Sequence, residues 1–430
     1  MIKMPKIIRD VLKTLSDAGF EGYTVGPCVR DSILGKRPVD WDVSTNASPE
    51  ELNKLFPNAV TVSQKLGVVR LFDEDDEDEN VVDIATYRRK SLKTAEGSIP
   101  QFVSNISEDL ERRDFTVDAI ADSGSKFVDE KGGKSDITAR LIRTVGDPAE
   151  LLREEPFKIM KAFRLVADLG FDMTQPVYEA IIANKEGLDT VKSSRIGKEF
   201  LQIMGAEYAG KALNMIVDMG VLRYILGAEV ADNLTGREKK ELTELCNNIE
   251  KTKMIPERRM GVLMSMLSKR KALAAIDKLG YEGELRTHLE DVARDLPEFH
   301  FCQQPQTLKK FCYEHAPMER SDYLLQLQKA MMIVFGYDIE TKIKSKMYLF
   351  GEFEKNSDPI FVEDLAIDGN DLMEAGITET PEESEAMLRM LVERLHIEPR
   401  KNTRRELLEL AKRYKKHKFI AYFRGVSWIR

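Results

Sequence analysis

The chain has 430 residues, 42% hydrophobic and 32% charged, with a formal net charge of −8. That length exceeds one typical core and predicts two to four domains. No apolar run approaches membrane-spanning length, the charged N-terminal segment lacks a signal-peptide core, and the four cysteines show neither metal-ligand spacing nor a disulfide framework, so a membrane or disulfide-stapled protein is excluded and a cytoplasmic location expected.

The opening "MIKMPKIIRDVLKTLSDAG" predicts an amphipathic helix with Ile7, Val11, Leu12 and Leu15 inward. "GYTVG" reads as a strand, followed by a helix from about Val29, then the strand "DWDVST". "VVRLF" and "NVVDIATY" predict two more strands, and "LIRTVG" a further one. The seven consecutive acids Asp73–Glu79 between the middle pair read as a solvated hairpin tip, with a docking point for a basic partner as the alternative. Beyond about residue 148 the periodicity is almost wholly helical, and "EFEKNSDPIF" marks a boundary before a last helical unit.

Charge is unevenly spread. Pro399–Arg430 carries eleven Lys/Arg against two Glu, +9, which leaves −17 on the remainder. A basic terminus on an acidic protein suits nucleic acid, and a solvated basic helix fits the charge equally. Tyr414, Phe419, Tyr422, Phe423 and Trp428 lie among these cations, as stacking partners for RNA or as packing.

In a strand, alternate side chains share a face, so Asp40 and Asp42 point one way and Trp41 the other. Two such carboxylates repel unless a cation lies between them, and hard oxygen ligands suit magnesium. An Asp-x-Asp alone also occurs on surface strands. The five histidines form no HExxH and no adjacent His-Asp pair, so a histidine-built metal site is not expected. "VGPCVRD" ahead of the pair is a strand–turn–helix arrangement that aims backbone N–H groups at an anion, with Arg30 reaching the same space. Asp83 is a candidate third carboxylate from a neighbouring strand, or a surface acid at the strand's end.

"VGPCVRDSILG…VDWDVSTNASPEEL" resembles the signature of the DNA polymerase beta superfamily, in the branch of bacterial CCA-adding enzymes and poly(A) polymerases. "EDLERRDFTVDAIA" and "LIRTVGDPAELLREEPFKIMKAFRLVADLGF" are similar to two further family blocks, and "LAIDGNDLMEAGITETPEESEAMLRMLVERLHIEPRKNTRRELLELAKR" to the family's tail. Roughly 206–350 agrees only in helical character. The resemblance implies an α/β polymerase-beta-like nucleotidyltransferase head (1–145), then an all-α neck (146–205), body (206–355) and basic tail (356–430). It implies Mg2+ on Asp40 and Asp42, beside which Asp83 stays the third metal candidate read from its strand. Gly26, Pro27, Arg30, Arg112 and Arg113 would border the triphosphate or sugar, Asp114 orienting the two arginines. Glu155 and Lys158, three apart on one helix face, would present a base-reading edge, followed by Lys161 and Arg164. The expected activity is addition or repair of the tRNA CCA end from CTP and ATP, with tRNA gripped at its 3′ end and acceptor arm. A poly(A) polymerase and a catalytically weakened tRNA-binding protein are the alternatives.

Four positions depart from the family pattern. Pro27 stands where it has a second glycine and offers no N–H, Asp118 replaces an asparagine, Glu155 an aspartate, and Lys158 an arginine with its planar fork. Arg89–Val103 is long enough for the family's mobile loop but lacks its usual element, and a plain exposed connector is the competing reading.

Overall fold

The computed structural model describes residues 2–38, 40–63, 65–72, 81–94, 97–315 and 318–424. The acidic run Asp73–Glu79 and Trp428 lie outside them. The described chain forms two compact units, Met1–Ala228 and Glu229–Arg430.

The first unit opens with helix α1 (Lys6–Asp17), which buries Ile8, Val11 and Leu15. Ile8 takes the inward place expected of Ile7, because 8, 11 and 15 fall on one stripe at 3.6 residues per turn. Strand β1 (Gly22–Val25), helix α2 (Pro27–Ile33) and strand β2 (Asp40–Thr45) follow, then α3 (Pro49–Leu55), β3 (Val60–Ser63), β4 (Val68–Phe72) and β5 (Val81–Thr86). Next come β6 (Arg88–Thr94), β7 (Gly97–Phe102), α4 (Ile106–Glu111), β8 (Ala121–Asp122), β9 (Phe127–Val128) and α5 (Gly133–Ala139). Seven strands make one sheet in the order β3-β4-β5-β2-β1-β8-β9. Within it β2 and β5 run parallel and centrally, with Asp42 directly beside Asp83.

Two expectations are revised here. The segment 89–103, read as the family's mobile loop or as a plain exposed connector, is not a plain connector: β6 and β7 pair antiparallel as a separate ribbon, Arg88 opposite Phe102. The strand expected in "LIRTVG" is only Leu141–Ile142, and it pairs with Asp172–Met173 outside the main sheet. Helix α6 (Pro148–Glu154) and helix α7 (Lys158–Leu169) then begin the helical part of this unit.

The second unit has helices joined by short turns and no strand among its described residues. Its C-terminal part packs Leu372, Leu391, Leu395, Leu407 and Ala411 into one core, with Tyr414 laid against it. Tyr414 is therefore packing rather than a free stacking surface, while Arg400, Arg405, Lys412, Arg413, Lys415 and Lys416 are exposed along the same segment. The side chains of Phe419, Tyr422 and Phe423 lie outside those described. No described helix is long and apolar enough to cross a membrane.

Lys346, on the helix Glu340–Asn356, is wholly buried over the Phe299 ring and bonds the His300 carbonyl oxygen at 3.4 Å. Burial pulls its ammonium down from 10.5 to about 8. The unfolded chain thus holds more protons between these values, so the penalty is full below pH 8 and fades as pH rises towards 10.5. The shift corresponds to about 3 kcal/mol. Lys346→Met is expected to stabilise the protein by about that amount at pH 7, and the gain to close by pH 10.5. Denaturant unfolding at the two pH values measures it, and a pH-independent gain would assign the effect to packing alone.

Candidate active site

The site grows from two adjacent edges of the first unit. At the first, β1 runs into Gly26, the cap of α2, whose φ of 81° and ψ of −143° only glycine adopts without strain. A Cβ at Gly26 would stand 2.9 Å from the Arg113 guanidinium and 3.6 Å from Asp42 Oδ2. This turn, the arginine and the β2 carboxylate therefore converge on one point. Pro27 occupies the first position of α2, where the missing N–H breaks no helical bond and the ring's fixed φ favours the helix start.

On β2 the pleat buries Trp41 and Val43 and leaves Asp40 exposed and Asp42 half-buried on the other face. Burial lifts the Asp42 carboxyl above its usual range; Arg113 opposes this, and Asp83, Asp40 and Asp118 add to it. Carboxylates crowded this way fit a hard divalent cation, which would relieve both the repulsion and the lost hydration. Asp83 has a partner of its own, since Arg70 on β4 donates from Nε and Nη2 to its two oxygens at 2.7 and 2.8 Å.

The second edge is an open cleft of about 1190 Å3 whose lining includes Pro27, Arg30, Arg112, Arg113, Glu155, Lys158, Lys161 and Arg164. Residues far apart in sequence are brought together here. Arg30 is buried and held by Asp31 at 2.8 Å and Asp118 at 2.6 Å. Burial disfavours its charge, but the two aspartates keep its pKa above the ordinary value. The extra negative charge of Asp118 is thus spent on Arg30 rather than presented to a ligand. Burial depresses Arg112, which Asp109 offsets and neighbouring Arg113 aggravates. Arg113 Nε is buried without a hydrogen-bond partner. Crowded, partly dehydrated guanidiniums with an idle donor suit a polyanion.

Asp114 does not orient these arginines. Lys158 donates to Asp114 Oδ2 at 2.6 Å, and it is Asp109 that accepts from Arg112 and Arg113. Nor do Glu155 and Lys158 share a helix. Pro156 disfavours helical backbone in the residue before it, so Glu155 caps α6 with φ −134° and Lys158 starts α7. Across that break Lys158 Nζ still lies 3.6 Å from Glu155. Arg164 pairs with Asp168 at 2.7 Å, and Lys161 is exposed at the cleft.

Sequence reading missed Arg88, Arg89 and Lys90, which enter the cleft from the ribbon, and it missed Asp109. "YRRK" straight after the β5 strand and the spacing of Asp109 from Arg112 and Arg113 were the available signals.

Residues 22–143 match the family described as "Poly A polymerase head domain", and residues 170–232 that described as "Probable RNA and SrmB- binding site of polymerase A". The chain is 34% identical over 219 residues to the CCA-adding enzyme of Geobacillus sp. (strain WCH70), covering 50% of this chain and 53% of that protein. It is 33% identical over 236 residues to the CCA-adding enzyme of Geobacillus stearothermophilus, covering 54% and 55%. The chain thus spans about half the length of the curated relatives it matches. In fold it resembles the crystal structure of Bacillus stearothermophilus CCA-adding enzyme in complex with CTP, with a TM-score of 0.76 at 22% identity over 96% of this chain and 99% of that one.

Proposed function

We propose, for a chain whose residues 22–143 match the poly A polymerase head-domain family, that it is a template-independent nucleotidyltransferase that adds or repairs the CCA end of tRNA with CTP and ATP. The observation that carries this is the meeting of the Gly26 turn, Arg113 and Asp42 at one point, beside a cleft rich in guanidinium groups. In the reaction the RNA 3′-hydroxyl oxygen bonds the α-phosphorus of the nucleotide, the bond to pyrophosphate breaks, and the hydroxyl proton is released. Asp40 and Asp42 would hold a divalent cation, which we take to be Mg2+, and which would supply activation of the hydroxyl and neutralisation of the leaving pyrophosphate. Asp83 would join as a third ligand while sharing its carboxylate with Arg70, which occupies one acceptor site on each of its oxygens.

Gly26 leaves room for the triphosphate, with Arg30, Arg112 and Arg113 along it, and Pro27 shapes the turn without adding a donor. Glu155 and Lys158 read the base edge, with Lys161 and Arg164 beyond them. We assign catalysis to 1–145, base reading to the neck at 146–205, a helical body to 206–355, and tRNA binding to the tail at 356–430, where exposed cations would grip backbone phosphates of the 3′ end and acceptor arm. We take the location to be cytoplasmic, in keeping with four scattered cysteines that form no disulfide framework in the sequence.

The test is incubation of the protein with tRNA lacking its CCA end, Mg2+ and single labelled nucleotides, followed by sizing of the products. Short CTP- and ATP-dependent extension is expected. Long ATP-only products would make it a poly(A) polymerase, and tRNA binding without incorporation a weakened binding protein. A second measurement addresses base choice. Lys158→Arg is expected to raise the CTP-over-UTP ratio of kcat/KM, since arginine restores two coplanar donors while keeping the charge beside Asp114. Equal ratios for lysine, arginine and alanine at this position would remove Lys158 from base reading.

A further inference from the structure

Asp109, on α4, is fully buried and accepts from four donors on different parts of the first unit. Its Oδ1 takes the backbone N–H of Arg88 at 3.2 Å and Arg112 Nε at 3.0 Å. Its Oδ2 takes Arg113 Nη2 at 3.4 Å and the Ser44 hydroxyl at 3.5 Å. Ser44 lies on β2 two residues beyond Asp42, and Arg88 is the first residue of the ribbon. One carboxylate therefore ties the arginine pair to the strand carrying the acidic pair and to the ribbon that brings Arg88, Arg89 and Lys90 to the cleft.

A buried carboxylate is retained only where its partners compensate its lost hydration, and four donors do so here. Its effect is to hold two mutually repelling guanidiniums in fixed directions. We infer that Asp109 is a positioning residue for nucleotidyl transfer: it touches no substrate, but aims Arg112 and Arg113 at the charge that develops on the phosphates. This inference rests on the nucleotidyl-transfer reading above.

Its signature is a split between kcat and KM. In Asp109→Asn the cleft loses a negative charge, so ground-state attraction for a triphosphate does not weaken. The asparagine NH2 meets a guanidinium donor to donor, so the fixed directions are lost. The expected result is kcat lowered by about 10- to 100-fold per folded molecule, with KM for ATP unchanged or lower. A purely structural role would reduce the folded fraction and leave both constants of the folded molecules as they were.

The experiment is steady-state incorporation of labelled AMP into tRNA lacking only its terminal A, at varied ATP, by wild type and Asp109→Asn, normalised to folded protein. An unchanged kcat, or a raised KM at unchanged kcat, would overturn the inference. Arg112→Lys, which keeps the charge and loses the Nε donor, serves where Asp109→Asn does not fold. The same fall in kcat without a rise in KM is expected of it, and an unchanged kcat again overturns the inference. Wild-type protein that incorporates nothing defeats the nucleotidyl-transfer reading itself, and this inference with it. Active wild type with an unaltered variant defeats only the role of Asp109.

Discussion

Asp40→Ala and Asp42→Ala are each expected to lower incorporation by about 100-fold or more, equivalent to about 3 kcal/mol of barrier, while tRNA binding is retained. Each substitution removes one oxygen donor from the face where a cation would sit and leaves the exposed basic segment at 400–416 untouched. Asp42 adds a second expectation. Its folded pKa is raised by burial, so the ionised carboxylate disfavours folding at neutral pH, a penalty that fades as pH falls towards the unfolded value. Asp42→Ala should therefore lose activity without losing stability in metal-free buffer, as expected where a strained site is kept for function. Filter binding of tRNA, incorporation and denaturant unfolding on the same preparation supply the three readouts. Substantial activity in either variant would remove the carboxylate pair from the chemistry.

The other large effect is expected at Gly133, the first residue of α5. A Cβ there would lie 2.2 Å from the Thr116 carbonyl oxygen and 2.7 Å from the Ile120 side chain. Backbone cannot yield as a flexible side chain does, so α5 would have to move away from the Thr116–Asp118 turn. That movement strains the 2.6 Å hydrogen bond from Thr116 to Asp136 and shifts Asp118, the partner of Arg30. Gly133→Ala is expected to destabilise the protein by about 3 kcal/mol or more, seen as an earlier denaturation midpoint, and to lower activity per folded molecule. A midpoint within error of wild type would show that this close approach relaxes easily.

These residues differ in how far the sequence alone announces them. Alternation along "DWDVST" was enough to put Asp40 and Asp42 on one face with Trp41 buried behind them, because a strand's period of two is a local property. The helical remainder and the basic end were legible for the same reason, since periodicity and charge need no partner. Pro156 also carried its signal locally, and the break between Glu155 and Lys158 follows from it. Other features depend on distant contacts. Asp109 looks like any acid in a charged helix until folding sets it against Ser44, 65 positions away. Asp83 reads as a free strand acid until β4 brings Arg70 beside it, and Asp118 as an unwelcome charge until Arg30 neutralises it. The Gly132-Gly133 pair announces a turn, which Gly132 makes with its φ of 76°, but nothing local announces the constraint on Gly133, which is the carbonyl of another segment. Local spacing determined which residue types face together. Only long-range packing decided which charges are compensated, and therefore which remain available to a substrate.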